Sequence, residues 1–162
     1  MNNMEHTFDS DVILVSKTDL KGNITYANQD FIDMVGFSEK ELIGKPHNII
    51  RHQNMPKAVF KLLWDTIKTG QEINAYVVNK CKDGGFYWVF ANVVASVNIH
   101  GKTLGYHSTR HKPKKEALDI IVPLYEELLE LEKTTGVDAS LKAIEDILNQ
   151  KGMTYDEFIF SI

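Results

Sequence analysis

The run FYWVFANVVASV at positions 86–97 restricts the fold of this chain more than any other segment. Successive side chains of an extended strand point to opposite faces. Phe86, Trp88, Phe90 and Asn92 therefore go one way, and Tyr87, Val89, Ala91 and Val93 the other. Both faces are apolar, so both need cover. Asn92 and Ser96 interrupt the run, which also falls short of the roughly 20 apolar residues a membrane helix takes. Such a strand belongs inside a sheet with a layer on each side.

The flanking sequence supplies that sheet. EINAYVVNKC precedes a KDGG turn, and TLGYHSTRHK follows an NIHGK turn, so three runs read as an antiparallel meander. Near the start, VILVSK (Val12 to Lys17), the turn residues DLKGN and the run ITYA (Ile24 to Ala27) read as a hairpin. The period then changes. Phe31, Met34 and Val35 followed by Gly36, and Ser38 with Glu41 as a capping box, predict two short helices. Pro56 suits a first helical residue, and Val59, Phe60, Leu63, Trp64 and Ile67 form an apolar stripe that stops at Gly70. Beyond Pro113 the pattern is helical, with Leu118, Ile121, Val122, Tyr125, Leu128, Leu129 and Leu131 on one side. Pro123 is expected to kink or restart that helix. A second helix around Leu141 to Leu148 and a short YDEFIF segment follow. The expected fold class is α+β: one five-stranded antiparallel sheet, short helices and a longer helix on one face, and a C-terminal helical tail. That tail, or another chain, is left to cover the outward face.

Composition narrows the function. A net charge of -4 and a pI near 5.8 argue against a dedicated nucleic-acid binder, which needs surplus Lys and Arg on one face. Cys81 is the only cysteine, and the opening MNNMEHTFDSD has no apolar targeting core, so a cytoplasmic location without membrane insertion is expected. No Gly-rich phosphate loop, nucleophile elbow or paired histidine spacing of a zinc site is present, so neither enzyme activity nor a metal site is expected.

ITYANQDF, GFSEKELIGKPHNIIRHQNMP, VVNKCKDGGFYWVFANVVAS and GYHSTRHK together resemble a PAS domain over about 11–112. This divides the chain into an N-terminal cap (1–10), a sensor domain (11–112) and a helical signalling tail (113–162). PHNIIRHQNMP with Phe60 and Trp64 is similar, more narrowly, to the flavin-binding PAS sensor of bacterial aerotaxis and energy-taxis receptors. Asn54 stands at that group's acidic position, and Ile73 where it carries Trp. With no signalling region of its own, the chain resembles the separate sensory half of a two-piece energy-taxis receptor. The resemblance implies non-covalent FAD and redox sensing without turnover. It also implies a membrane-bound chemoreceptor-type signalling partner, with a homodimer left open.

The same resemblance nominates the site. Arg51 and His52 precede a helix N-terminus suited to an anionic pyrophosphate. Asn54 is either a contact or an ordinary N-cap. His47 occupies the place where related blue-light PAS sensors carry their adduct-forming cysteine, so no flavin-cysteine photo-adduct is expected; His47 contacts the cofactor or hydrogen-bonds to backbone. Asn79, Tyr106, Ser108 and Arg110 share a side of the sheet with Tyr87, and Asn79 can both donate to and accept from an isoalloxazine edge. The small Val89 and Ala91 leave room for a flat ring between that sheet and Phe60 and Trp64, which serve equally well as core. Asn28 matches a family position and also suits a helix cap. Two rival readings are a haem sensor ligated by His47, His52, His107 or His111, and a cofactor-free adaptor that docks through Trp88 and Phe90.

Overall fold

The computed structural model describes residues 4–162, so the first three positions of the expected cap lie outside the described residues. A hairpin of β1 (Leu14–Asp19) and β2 (Ile24–Ala27) leads into α1 (Gln29–Val35), α2 (Glu39–Leu42) and a single 3-10 turn, His47–Ile50. The longer helix α3 (Lys57–Lys68) is followed by β3 (Ile73–Lys80), β4 (Phe86–Val97) and β5 (Thr103–His111). Three tail helices close the chain: α4 (Lys115–Thr134), α5 (Val137–Lys151) and α6 (Tyr155–Ser161). The strands form one antiparallel sheet in the order β2-β1-β5-β4-β3. Pairing of β1 with β5 brings the two ends of the sensor region together and places β5, with Ser108 and Arg110, at the centre.

Local chemistry sets the entries and exits. Asn28 Oδ1 accepts the N–H of Phe31, capping α1, and also that of Val15, while its Nδ2 donates to the Ile13 carbonyl. One side chain thus ties the start of α1 to β1. Gly36 ends α1 at a φ of 74°, a left-handed conformation that glycine adopts without steric cost. The Ser38–Glu41 capping box forms as the sequence predicts.

The inward sheet face meets α1 and α3, with Phe31, Val35, Ile50, Val59 and Val89 in the core. The tail covers the outward face over β3 and β4. The Tyr125 ring of α4 lies 5.9 Å from Trp88, and its hydroxyl donates to the Tyr76 carbonyl at 2.6 Å. Phe160 of α6 meets Phe90 edge-on at 6.0 Å. Tail residues also reach α3, where Val59 joins Ile121, Leu128, Tyr155 and Phe158. No helix among the described residues is long and apolar enough to cross a membrane.

Two expectations for the helices need correction. Pro123 does not restart a helix, because α4 runs through it as one 20-residue helix. Pro123 is exposed, as is Asp119, whose carbonyl loses its intrahelical donor, so water can satisfy that group. The second correction is at α3, which starts one residue after Pro56 and has no side-chain cap from its own sequence. Glu132 of α4 supplies it instead, accepting the N–H groups of Lys57 at 3.0 Å and Ala58 at 2.9 Å. A carboxylate there satisfies two orphan donors and the positive end of the helix dipole.

Replacing Glu132 by Ala should therefore lower unfolding stability by about 1 kcal/mol, the usual value of a lost cap. A Glu127→Ala control on the same helix should leave it unchanged. Equal denaturant midpoints for parent and Glu132→Ala would show that the cap contributes nothing.

Candidate functional site

A cleft of about 220 Å³ opens between the inward sheet face, the 3-10 turn and α3. Its floor is Val77 and Asn79 of β3, Ala91 and Val93 of β4, Tyr106, Ser108 and Arg110 of β5, and Ser16 of β1. These residues meet because of register: Ser16 faces Ser108, Ala91 faces Arg110, and Val77 faces Val89 across the ladder. Phe60 and Trp64 of α3 form the opposite wall, and the Trp64 ring meets Tyr106 edge-on at 5.5 Å. Arg51 and Lys21 stand among the lining residues, with the Arg51 guanidinium 3.8 Å above the Phe60 ring.

Arg110 is 4% exposed, yet among the described residues no carboxylate pairs with it. Its Nη2 donates to Ser16 Oγ at 3.0 Å and to His47 Nε2 at 2.9 Å, and the guanidinium lies 5.2 Å from the Phe31 ring centre. His47 Nε2 is therefore an acceptor, which places the imidazole proton on Nδ1. Burial, and after it the Arg110 charge, push His47 down to about 3, so the ring is neutral. Burial also pushes Arg110 down to about 10, which leaves it charged at neutral pH.

Four buried polar atoms on this face have no hydrogen-bond partner: Asn79 Nδ2, Tyr87 Oη, Ser108 Oγ and Arg110 Nη1. Orphans of this kind are rare in folded proteins and costly, at about 1 to 3 kcal/mol each. All four can donate. The group that this floor fits is a flat one with acceptors along its edge and tolerance for nearby positive charge.

Of the sequence-nominated residues, His47, Arg51, Phe60, Trp64, Asn79, Tyr106, Ser108 and Arg110 line this cleft. Tyr87, fully buried, is the direct cross-strand partner of Asn79 on the same face without reaching the lining. Asn28 is occupied in capping α1. His52 packs its ring 5.6 Å from Phe86, and its Nδ1 accepts the Asn54 N–H. Asn54 itself is exposed and neither lines the cleft nor caps α3. The anion site expected at the α3 N-terminus is already filled by the Glu132 carboxylate. Sequence reasoning missed Ser16 and Lys21. Ser16 carries a legible signal, being a polar residue at an inward position of the apolar run VILVSK; Lys21 in the β1–β2 turn carries none.

A buried histidine that stays neutral makes stability pH-dependent. His47 binds a proton near pH 6.5 when unfolded and near 3 when folded. The folded state therefore loses stability as pH falls below about 6.5, on the order of 4 kcal/mol once pH reaches the folded value. His47→Gln, which keeps a neutral acceptor for Arg110, should flatten the denaturant-midpoint curve between pH 6.5 and 4.5. An unchanged slope would remove His47 from this role.

Comparison with known proteins bears on this geometry. The aerotaxis receptor of Escherichia coli strain K12 is 43% identical over 118 residues, covering 73% of this chain and 23% of the receptor. A nitrogen fixation regulatory protein of Klebsiella pneumoniae is 28% identical over 94 residues, 58% of this chain and 19% of that protein. The chain thus spans less than a quarter of the length of these relatives. Among solved structures, the dark form of the blue-light photoreceptor Aureochrome1 LOV superposes with a TM-score of 0.58 at 21% identity, covering 73% of this chain and 85% of that one. A light-oxygen-voltage domain studied with a flavin analogue gives 0.58 at 20% identity, covering 71% and 86%. With its five-stranded sheet in this order and residues 24–110 matching the PAS fold, the chain belongs to the PAS fold family.

Proposed function

We propose that the cleft holds the isoalloxazine of FAD non-covalently and that the chain is a redox sensor without turnover of its own. The observation that carries this reading is Arg110: a buried cation with no carboxylate partner, surrounded by orphaned donors on a concave sheet. A bound flavin supplies reversible electron transfer. The chain's part is to bind and orient it. Asn79, Ser108 and Arg110, with Tyr87 behind Asn79, would donate to the ring edge, and Phe60 and Trp64 would exclude water from the opposite face. Arg51 and Lys21 would meet the phosphates in place of the helix N-terminus. Asn28 would position β1 and α1, and His52 and Asn54 would shape the loop that presents Arg51.

Neither rival reading is favoured. His47, the one histidine of the four nominated haem ligands that lines the cleft, already engages Arg110 and Ser16 through Nε2. Trp88 and Phe90, the docking aromatics of an adaptor, are met by Tyr125 and Phe160.

The rest of the reading concerns output. Residues 11–112 would sense and 113–162 would signal, the two meeting at Glu132 on α3 and at Tyr125 on the sheet. Similarity to the aerotaxis receptor supports an energy-taxis role in the cytoplasm, with a membrane-bound chemoreceptor-type protein as partner, alone or from a homodimer.

Purified protein should show paired blue and near-ultraviolet flavin bands, and chromatography of the heat-released cofactor should give FAD. A Soret band, or no visible absorption, would reject this function. Arg51→Ala should retain FAD at least about tenfold more weakly, because a charge-assisted bond to phosphate is worth about 1.5 to 3 kcal/mol. Equal cofactor content after identical purification would contradict that assignment.

Arg110→Gln should shift the flavin midpoint potential to more negative values, since the buried cation favours the electron-rich form. An unchanged potential would deny Arg110 an electrostatic role. Hydrogen exchange of α4 should differ between oxidised and dithionite-reduced protein, and identical protection in the two states would refute signalling through the tail.

A further inference from the structure

We propose that His6, Cys81 and Asp83 bind a borderline-soft divalent cation of the Zn²⁺ class, in a groove at the β3–β4 turn that shares no lining residue with the cleft. One ligand atom from each residue lies within 4.8 Å of the others. Thiolate sulfur, imidazole nitrogen and carboxylate oxygen are the donor set of tetrahedral zinc. With bonds of about 2.0 to 2.3 Å, its ligands stand less than about 4 Å apart, so a small inward shift closes the shell. His6 is 77 positions from Asp83, which is why no spacing in the sequence announced a metal site.

The trio is built by backbone and by second contacts. The N-terminal segment adds a short parallel bridge to the start of β4, with the His6 N–H donating to the Phe86 carbonyl at 2.7 Å and the Phe86 N–H to that of Met4 at 3.1 Å. This lays the imidazole against the β3–β4 turn so closely that a methyl group on Gly85 would lie 2.5 Å from His6 Nε2. In the turn, Cys81 N–H bonds to the Gly85 carbonyl at 2.8 Å, and Gly84 takes a φ of 88°. Asp83 Oδ1 accepts the Gly85 N–H at 2.8 Å, which leaves Oδ2 directed at His6 Nε2, also at 2.8 Å. A carboxylate held through one oxygen and offering the other is an oriented ligand.

The surroundings favour a cation. Asp9, Asp30 and Asp33 line the same groove, and its one lysine, Lys82, is paired with Glu41 at 2.6 Å. Cys81 is 5% exposed, and its S–H donates to the Met34 carbonyl. The ion therefore has to displace a proton. The S–H bond and its contact to the Met34 carbonyl at 3.3 Å break, a metal–sulfur bond forms, and one proton leaves to solvent. The His6–Asp83 hydrogen bond gives way to metal–nitrogen and metal–oxygen bonds, and the fourth position faces the groove and takes water. Bound metal would staple the N-terminal segment to the β3–β4 turn.

Full-length protein stripped with chelator would be titrated with Co²⁺, followed by its d–d absorption in the red, clear of any flavin band, and then with Zn²⁺ in competition. One equivalent of tetrahedral cobalt is expected, displaced by zinc, with affinity falling about tenfold for each unit by which the pH is lowered, as one proton is released on binding. Cys81→Ser should abolish that pH slope. His6→Gln, at a partly exposed position outside the core, should weaken binding more than about tenfold with the fold intact by circular dichroism. Gly85→Ala should also weaken it, although every ligand is kept. Absence of a tetrahedral cobalt spectrum, or an affinity left unchanged by both His6→Gln and Cys81→Ser, would overturn the site.

Discussion

Burying β4 on both faces is the constraint from which the rest of this architecture follows. A strand that carries apolar residues on both faces is poorly placed at a solvent boundary, because each exposed aromatic ring forfeits its transfer free energy. The chain meets this with two different layers. On the inward side α1 and α3 arch over the sheet, and because Val77, Ala91 and Val93 are small, they leave a cleft there. On the outward side Tyr125 and Phe160 meet Trp88 and Phe90, which are half-buried.

The inward cleft would be an ordinary packing defect were it not for its charge. A guanidinium buried without a carboxylate is expensive, since its few hydrogen bonds replace only part of its hydration. His47 and Ser16 satisfy one of its terminal nitrogens and the Phe31 face adds a weak attraction, while Nη1 stays without a partner. Burial first, and after it the same charge, keeps the neighbouring imidazole neutral, as a second buried cation at 2.9 Å would be costly.

Glu132 links the two layers. The helix whose aromatic side chains wall the cleft begins with N–H groups held by a carboxylate from the tail, so any displacement of α3 is felt at α4. Nothing in the residues around Pro56 indicates this, because the acceptor lies 75 positions downstream.

Period-2 alternation and turn residues were enough to place all five strands, since those signals are local; β2 and β4 match their sequence bounds residue for residue. The shared face of Asn79, Ser108 and Arg110 was legible too, because alternation and antiparallel pairing are rigid geometric rules. Contacts between distant segments were not legible. The cap on α3, the bond from Arg110 to His47 and Ser16, and the meeting of His6 with Cys81 and Asp83 all arise between segments far apart in the chain. The sequence by itself determined which residues face inward and that both sheet faces need cover. Only the tertiary structure decided what covers each face and which buried polar groups are left without partners, because those outcomes depend on how separate elements pack together.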